Sequence, residues 1–200
     1  MFYDTVSNAH GLAFNPFKAL VAPRPIGWIS SLSAEGTANL APYSFFNAVA
    51  DAPPIVMFSS SGWKDSVRNI EATGEFVCNI VSHDLRDEMN ASSAPVGPDV
   101  SEFELAGLEM APSNLVKVPR VKRAKAALEC RMLQIQQLKD LDGNAVQSYM
   151  VLGQVIGVHI DDSVIENGRV VPSRLELLSR LGYKDYDVTR DVFELTRPKG

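Results

Sequence analysis

From Glu75 to Val81 the chain reads Glu-Phe-Val-Cys-Asn-Ile-Val, a short apolar run rich in aromatic and β-branched residues, and this predicts a buried strand. Ile55 to Ser59 reads the same way. Ile26 to Ser33 and Thr37 to Pro42 flank Ala34-Glu35-Gly36, a glycine-containing loop of the kind that joins hairpin strands. Between the Ile55 and Glu75 runs, Val67 and Ile70 fall at helical spacing within Lys64 to Thr73, and Gly74 is placed to end that helix. The longest strand candidates are Ala126 to Gln137 and Ala145 to Ile160, joined through Asp142-Gly143-Asn144, where Asp-Gly is a strong hairpin signal. Strict alternation in the second puts Gly153, Val155, Gly157 and His159 on one face. Asn90 to Pro119 holds Pro95, Pro98, Pro112 and Pro119 and predicts a long excursion with at most short helices. Leu175, Leu178 and Leu181 predict a short amphipathic helix over Ser173 to Leu181, and Val192 to Leu195 a last strand. Many short antiparallel strands must deal with their edges, so the expected fold is mainly β, a closed or nearly closed barrel with accessory helices. With no repeat and no linker, residues 1–200 form one expected domain.

Composition narrows the function classes. The 200 residues are 46% hydrophobic and 22% charged, which suits a single ordinary core. The balance of 19 Lys and Arg against 24 Asp and Glu, a net charge of −5, argues against a nucleic-acid or anionic-membrane partner. No apolar run approaches the roughly 20 residues that span a bilayer, and Asp4, Asn8 and His10 stand where a signal peptide would be basic and then apolar. A cytoplasmic protein is expected. Cys78 and Cys130 sit in strand-like text without a C-x-x-C or a nearby His, so they read as reduced core thiols, and no metal site is expected. Neither a P-loop nor a G-x-G-x-x-G opening a helix is present, which excludes the standard nucleotide folds.

Candidate chemistry begins at Phe58-Ser59-Ser60-Ser61-Gly62-Trp63-Lys64-Asp65-Ser66-Val67-Arg68-Asn69. A buried strand ends in three hydroxyls, a glycine and a lysine, and a helix starts. That combination suits a phosphate monoester, although Ser66 or Asp65 would serve equally as a helix cap. Upstream, Asn39-Leu40-Ala41-Pro42-Tyr43-Ser44-Phe45-Phe46-Asn47 interleaves polar and aromatic side chains, which suits a flat heteroaromatic ligand or simply a core. Prolines 42, 53 and 54 limit regular pairing here. His159 lacks any Ser or Cys triad context. Lys117, Arg120, Lys122, Arg123 and Lys125 form a basic run that is either a solvated segment or a landing patch for an anionic dinucleotide or an acidic partner.

These segments, together with Pro23-Arg24-Pro25-Ile26-Gly27-Trp28-Ile29-Ser30-Ser31, Gly74-Glu75-Phe76-Val77-Cys78-Asn79, Ala91-Ser92-Ser93-Ala94-Pro95 and Gly153-Gln154-Val155-Ile156-Gly157-Val158-His159, resemble the flavin reductase-like family of FMN-binding split barrels. The resemblance runs from about residue 20 onward. It implies a homodimer holding FMN near the subunit interface. Trp28, Ile29, Ser30, Ser44, Phe45, Phe46 and Asn47 would line the ring and ribityl chain, and Ser59, Ser60, Ser61, Lys64, Ser66 and Arg68 would hold the phosphate end. His159 would contact a nicotinamide, although Val158 stands where the reductase-component branch often has Asp. The implied activity is hydride transfer from NADH or NADPH to flavin, with reduced flavin or electrons passed to a monooxygenase or electron-transfer partner. A flavoredoxin-like electron carrier without nicotinamide turnover, or a binding protein that has lost its flavin, are the alternatives.

Overall fold

The computed structural model describes residues 1–97 and 99–198, so Pro98 of the predicted excursion lies outside the described residues. Seven antiparallel strands form the main sheet: β1 Gly27–Leu32, β2 Ala38–Tyr43, β3 Phe46–Asp51, β4 Pro54–Ser61, β5 Glu75–Ile80, β6 Ala126–Lys139 and β7 Ala145–Ile160. Their spatial order is β2-β1-β5-β6-β7-β4-β3. The two outermost strands, β2 and β3, are thus neighbours in sequence, separated only by Ser44 and Phe45. Two residues reach about 7 Å, so the sheet must curl until its edges meet.

The interior of that curl is apolar. Ile29 and Tyr43 come from one side, Val56 and Phe58 from the other, with Phe76, Cys78, Cys130, Val151 and Val155 between them. Helix α1, Asp65–Thr73, plugs the end with Val67 and Ile70, both fully buried. Gly74 ends it in the left-handed region at φ 72°, its N–H donating to Ile70 O at 2.8 Å. A second core lies on the outer face of β1, where Trp28, Leu40, Leu85, Met89, Phe103 and Val121 pack together. Helix α2, Arg86–Ala91, which runs into the excursion, and the one-turn helix Glu102–Leu105 within it supply much of this core. Cys78 and Cys130 are buried free thiols. No helix among the described residues is long and apolar enough to cross a membrane.

The strongest sequence signal holds: β6 and β7 pair as the long hairpin, and Gly143 takes φ 83° in its turn. Three expectations are corrected. The Ser173–Leu181 helix stops at Leu175, because Glu176 takes φ 47°, and Leu178–Arg180 instead forms a strand against Arg24–Pro25. Val192 to Leu195 forms no strand; the last one is Tyr186–Val188. The stretch expected to be irregular because of its prolines contains β3, and Pro42 sits within β2, an edge strand where a missing N–H breaks no central ladder.

Candidate functional site

Strand β4 leaves the barrel at Ser61, turns through Gly62 at φ 94°, and delivers Lys64 to the start of α1. Lys64 itself is the extended residue preceding the helix, and no side chain caps it, so neither Ser66 nor Asp65 does so. The first-turn N–H groups are therefore unclaimed by a side-chain cap, at the positive end of the helix dipole. Beside them lies a cavity of about 460 Å³ lined by Lys64, Ser66, Arg68, Asn39 and Tyr43 together with the carboxylates of Asp65 and Glu102.

A relay of buried polar groups fixes the walls. Ser66 Oγ donates to Asn39 Oδ1 at 2.9 Å, and Ser31 Oγ donates to the same oxygen at 3.2 Å. Asn39 Nδ2 in turn donates to both oxygens of Glu102 at 2.9 and 3.0 Å, and Leu40 N–H adds a third bond to that carboxylate at 2.9 Å. Burial pushes the Glu102 carboxyl up, and these hydrogen bonds pull it only part of the way back. The Tyr43 hydroxyl is buried without a partner, near Ser66 and Ser60, and burial raises its phenol above the ordinary range. Arg68 is ion-paired with Asp65, whereas Lys64 is exposed and in no ion pair among the described residues.

The expected phosphate residues are thus only partly gathered. Ser60 points into the barrel, where its Oγ donates to Gly62 O at 2.9 Å. Ser59 and Ser61 lie on the opposite face of β4, because successive strand residues alternate. Trp28, Ile29 and Ser30 are fully buried, since β1 is paired on both edges and covered on both faces. Trp28 Nε1 donates to Ser92 Oγ at 2.8 Å and Ser30 Oγ to Pro119 O at 2.7 Å, so they support the site from beneath. Ser44 lines an adjoining cavity of about 390 Å³, which shares Pro42 and Ser93 with the first. Phe45 is 41% exposed beside it. Phe46 packs on Gly27, whose added Cβ would lie 2.5 Å from the ring, and Asn47 accepts from Ala48 N–H at 2.9 Å.

His159 is elsewhere. An extra residue between Val155 and Gly157 shifts the β6–β7 register, so Gly157 and His159 turn to the outer face while Val155 stays inside. The expected shared face is therefore broken, and neither glycine leaves open space. A Cβ on Gly153 would lie 2.3 Å from the Phe76 ring, and one on Gly157 would meet Leu115 and Glu129. Following the pairs His159–Ala127, Ala127–Asn79, Asn79–Trp28 and Trp28–Pro42, four strand spacings separate His159 from the cavity wall, about 19 Å along the sheet. His159 Nε2 instead lies 2.5 Å from Glu129 Oε1. In the basic run, Lys122 pairs with Glu109 at 2.5 Å and Arg123 with Glu88 at 2.6 Å. Sequence reasoning passed over Asn39, Glu102 and Ser93 as site residues. Asn39 and Ser93 lie inside the motifs that carry the resemblance, but Glu102 carries no local signal.

A family model described as "Flavin reductase like domain" matches residues 20–185. An uncharacterized protein of Aquifex aeolicus is 38% identical over 173 residues, 84% of this chain and 85% of its own. Among solved structures, nitrilotriacetate monooxygenase component B from Bacillus cereus superposes with a TM-score of 0.89 at 30% identity, covering 98% of each chain. The Pseudomonas fluorescens 2-nitrobenzoate 2-nitroreductase NbaA gives 0.86 at 28% identity, covering 99% of this chain and 96% of that one.

Proposed function

Because the chain belongs to the flavin reductase-like family and has its split-barrel fold, we propose that it is an FMN-binding oxidoreductase, an NAD(P)H-dependent flavin reductase that supplies reduced flavin or electrons to a partner. The observation that carries this reading is the uncapped start of α1, which opens with Lys64 and the unpartnered Tyr43 hydroxyl on one cavity. That donor set suits a phosphate monoester: free N–H groups, a cation and a hydroxyl with no other acceptor. When bound, FMN supplies reversible hydride and electron chemistry.

The protein's own share is binding and placement. Lys64 holds the phosphate charge and the α1 N–H groups orient it, while the bond from Ser66 Oγ to Asn39, itself held by Glu102, fixes the first turn of the helix. Glu102 does not compete as a free anion, because Asn39 and Leu40 N–H already occupy it. Pro42 lines both this cavity and the adjoining one, so a flavin bound here borders that second cavity. A direct hydride transfer asks no side chain to act as acid or base. The Bacillus cereus neighbour is a monooxygenase component, which favours a partner oxygenase. Exposed Val49 on edge strand β3 and exposed Phe45 just before that strand give a second copy of the chain an apolar border, in line with a homodimer. Two reduced buried thiols fit a cytoplasmic setting.

The test is the visible spectrum of the purified protein with FMN added, followed by NADH and NADPH under argon. Bleaching of the flavin band by either nicotinamide is the expected result, and no uptake of FMN would overturn the assignment. The engagement of His159 with Glu129, away from the cavity, favours a second reading as a flavoredoxin-like carrier. A yellow protein that neither nicotinamide bleaches would select it.

A further inference from the structure

The 390 Å³ cavity beside the proposed phosphate site has an unusual wall. Arg24 and Arg180 stand directly opposite each other in the short pairing of Arg24–Pro25 with Leu178–Arg180. Like charges in that position destabilise a strand pair. Arg24 is 6% exposed. Its Nη1 donates to Lys18 O at 2.5 Å and Val21 O at 2.6 Å, and its Nη2 to Leu181 O at 2.8 Å, while Nε is buried with no partner. Carbonyls satisfy the donors but leave the charge in place. Lys18 adds a third cation, no Asp or Glu lines the cavity, and none of the three cations forms an ion pair among the described residues.

The remaining surfaces are flat or apolar. The Arg180 guanidinium lies 4.4 Å from the Tyr186 ring centroid, a stacking that holds it in place. Its Nη2 donates to Tyr183 O at 2.5 Å, and Tyr183, whose ring packs on Phe14, also lines the cavity. Ile26, Pro42 and Leu181 supply apolar contact. A volume of this size is in the range of small-molecule sites.

We propose that this cavity binds the carboxylate of a planar aromatic acid, with Arg180 and Lys18 holding the anion, the buried charge of Arg24 drawing it in, and Tyr183 and Tyr186 bordering the ring. Since it shares Pro42 and Ser93 with the Lys64 cavity, the bound acid lies next to the flavin site proposed above, and the inference names a substrate class for that site. Opposed arginines with no acid between them are the feature that a bound carboxylate would neutralise, and guanidinium forks match carboxylates in geometry.

Calorimetric titration of the flavin-free and the FMN-saturated protein with benzoate, benzamide and cyclohexanecarboxylate tests it. Benzoate is expected to bind both forms, about tenfold or more tighter than its neutral isostere benzamide, and more tightly than the non-planar acid. Arg180→Gln should weaken benzoate by about tenfold, Arg180→Lys, which keeps the charge but not the planar fork or the stacking on Tyr186, should recover only part of that loss, and neither should alter FMN uptake. Equal binding of benzoate and benzamide, or an unchanged Arg180→Gln variant, would overturn the proposal. So would displacement of benzoate by FMN, which would give the cavity to the flavin ring. Cyclohexanecarboxylate or inorganic phosphate binding as well as benzoate would overturn the aromatic part. If FMN is not taken up at all, the flavin reading fails alone, and the flavin-free titration still decides this one.

Discussion

His159 Nε2 and Glu129 Oε1 stand 2.5 Å apart on the outer face of the long hairpin, and the same carboxylate accepts from the N–H groups of Asn114 at 2.7 Å, Leu115 at 2.6 Å and Val116 at 3.0 Å. Glu129 therefore fastens the excursion to the barrel, and His159 steadies it from the solvent side. Glu129→Ala leaves three backbone donors without their acceptor, that of Val116 in a buried bond and those of Asn114 and Leu115 in part-buried ones, each costing about 1 kcal/mol or more. A loss of about 3 kcal/mol in urea unfolding is the expected result; a loss under about 1 kcal/mol would mean that the loop holds itself.

The same residue sets an acid dependence. Burial alone would raise the Glu129 carboxyl, but bonds from Asn114, His159, Leu115 and Val116 outweigh it and hold the group below its ordinary value of 4.5. A depressed folded value means stabilisation that is complete above pH 4.5 and fades as the pH falls through the lower folded value. The stability difference between the wild type and Glu129→Gln should stay level from about pH 7 to 5 and shrink below that. A difference that is as large at pH 3 as at pH 7 would contradict the assignment.

Lys64→Ala should weaken FMN by about tenfold, measured by quenching of flavin fluorescence, and the affinity that remains should depend less on salt. Tyr43→Phe gives a crossed signature. Removing a buried hydroxyl without a partner should stabilise the flavin-free protein by about 1 kcal/mol while FMN binds less tightly. If both quantities move the same way, that hydroxyl does not serve the phosphate.

Gly153→Ala would drive a Cβ to 2.3 Å from the Phe76 ring, which is packed on Phe58 and cannot swing away freely. We expect a loss of about 2 kcal/mol or more, partly recovered when Phe76→Leu is added, since the two residues are in contact. Additive losses in the double variant would show that the clash is relieved elsewhere.

Ser92→Ala leaves the fully buried Trp28 Nε1 without its acceptor. A loss of about 2 kcal/mol is expected. Tryptophan fluorescence should report the change locally, because Trp63, the other tryptophan, lies at the exposed turn before α1.

The strands and α1 were legible in the sequence because their signals are local. Val67, Ile70 and Gly74 mark a helix and its end, and Asp142-Gly143 marks a turn. What failed depended on partners distant in the chain. The face of His159 was misread because a single extra residue at Ile156 inverts the alternation, and nothing in the residues around it announces a bulge. Leu178 fits a helix by its spacing, but it pairs with Val188, and its neighbours Ser179 and Arg180 pair with Arg24–Pro25, as a strand. In the candidate site, Lys64 and Ser66 could be read from a strand end followed by a helix, whereas Glu102 reaches Asn39 from across the fold. The charges of Arg24 and Arg180 appear ordinary until their register sets them face to face.

Ser44 and Phe45 join the two outermost strands of the sheet, and Phe45 O also accepts from Ser59 N–H at 2.8 Å. The barrel is therefore clasped by a covalent link where another barrel would need one more ladder of hydrogen bonds. A cut between these two residues would spare every strand pairing in the sheet and free both of its borders at once. Pro42, which lines both cavities, and Tyr43 and Ser44, which line one each, lead into this clasp, so whatever occupies those cavities bears on how tightly the barrel stays shut.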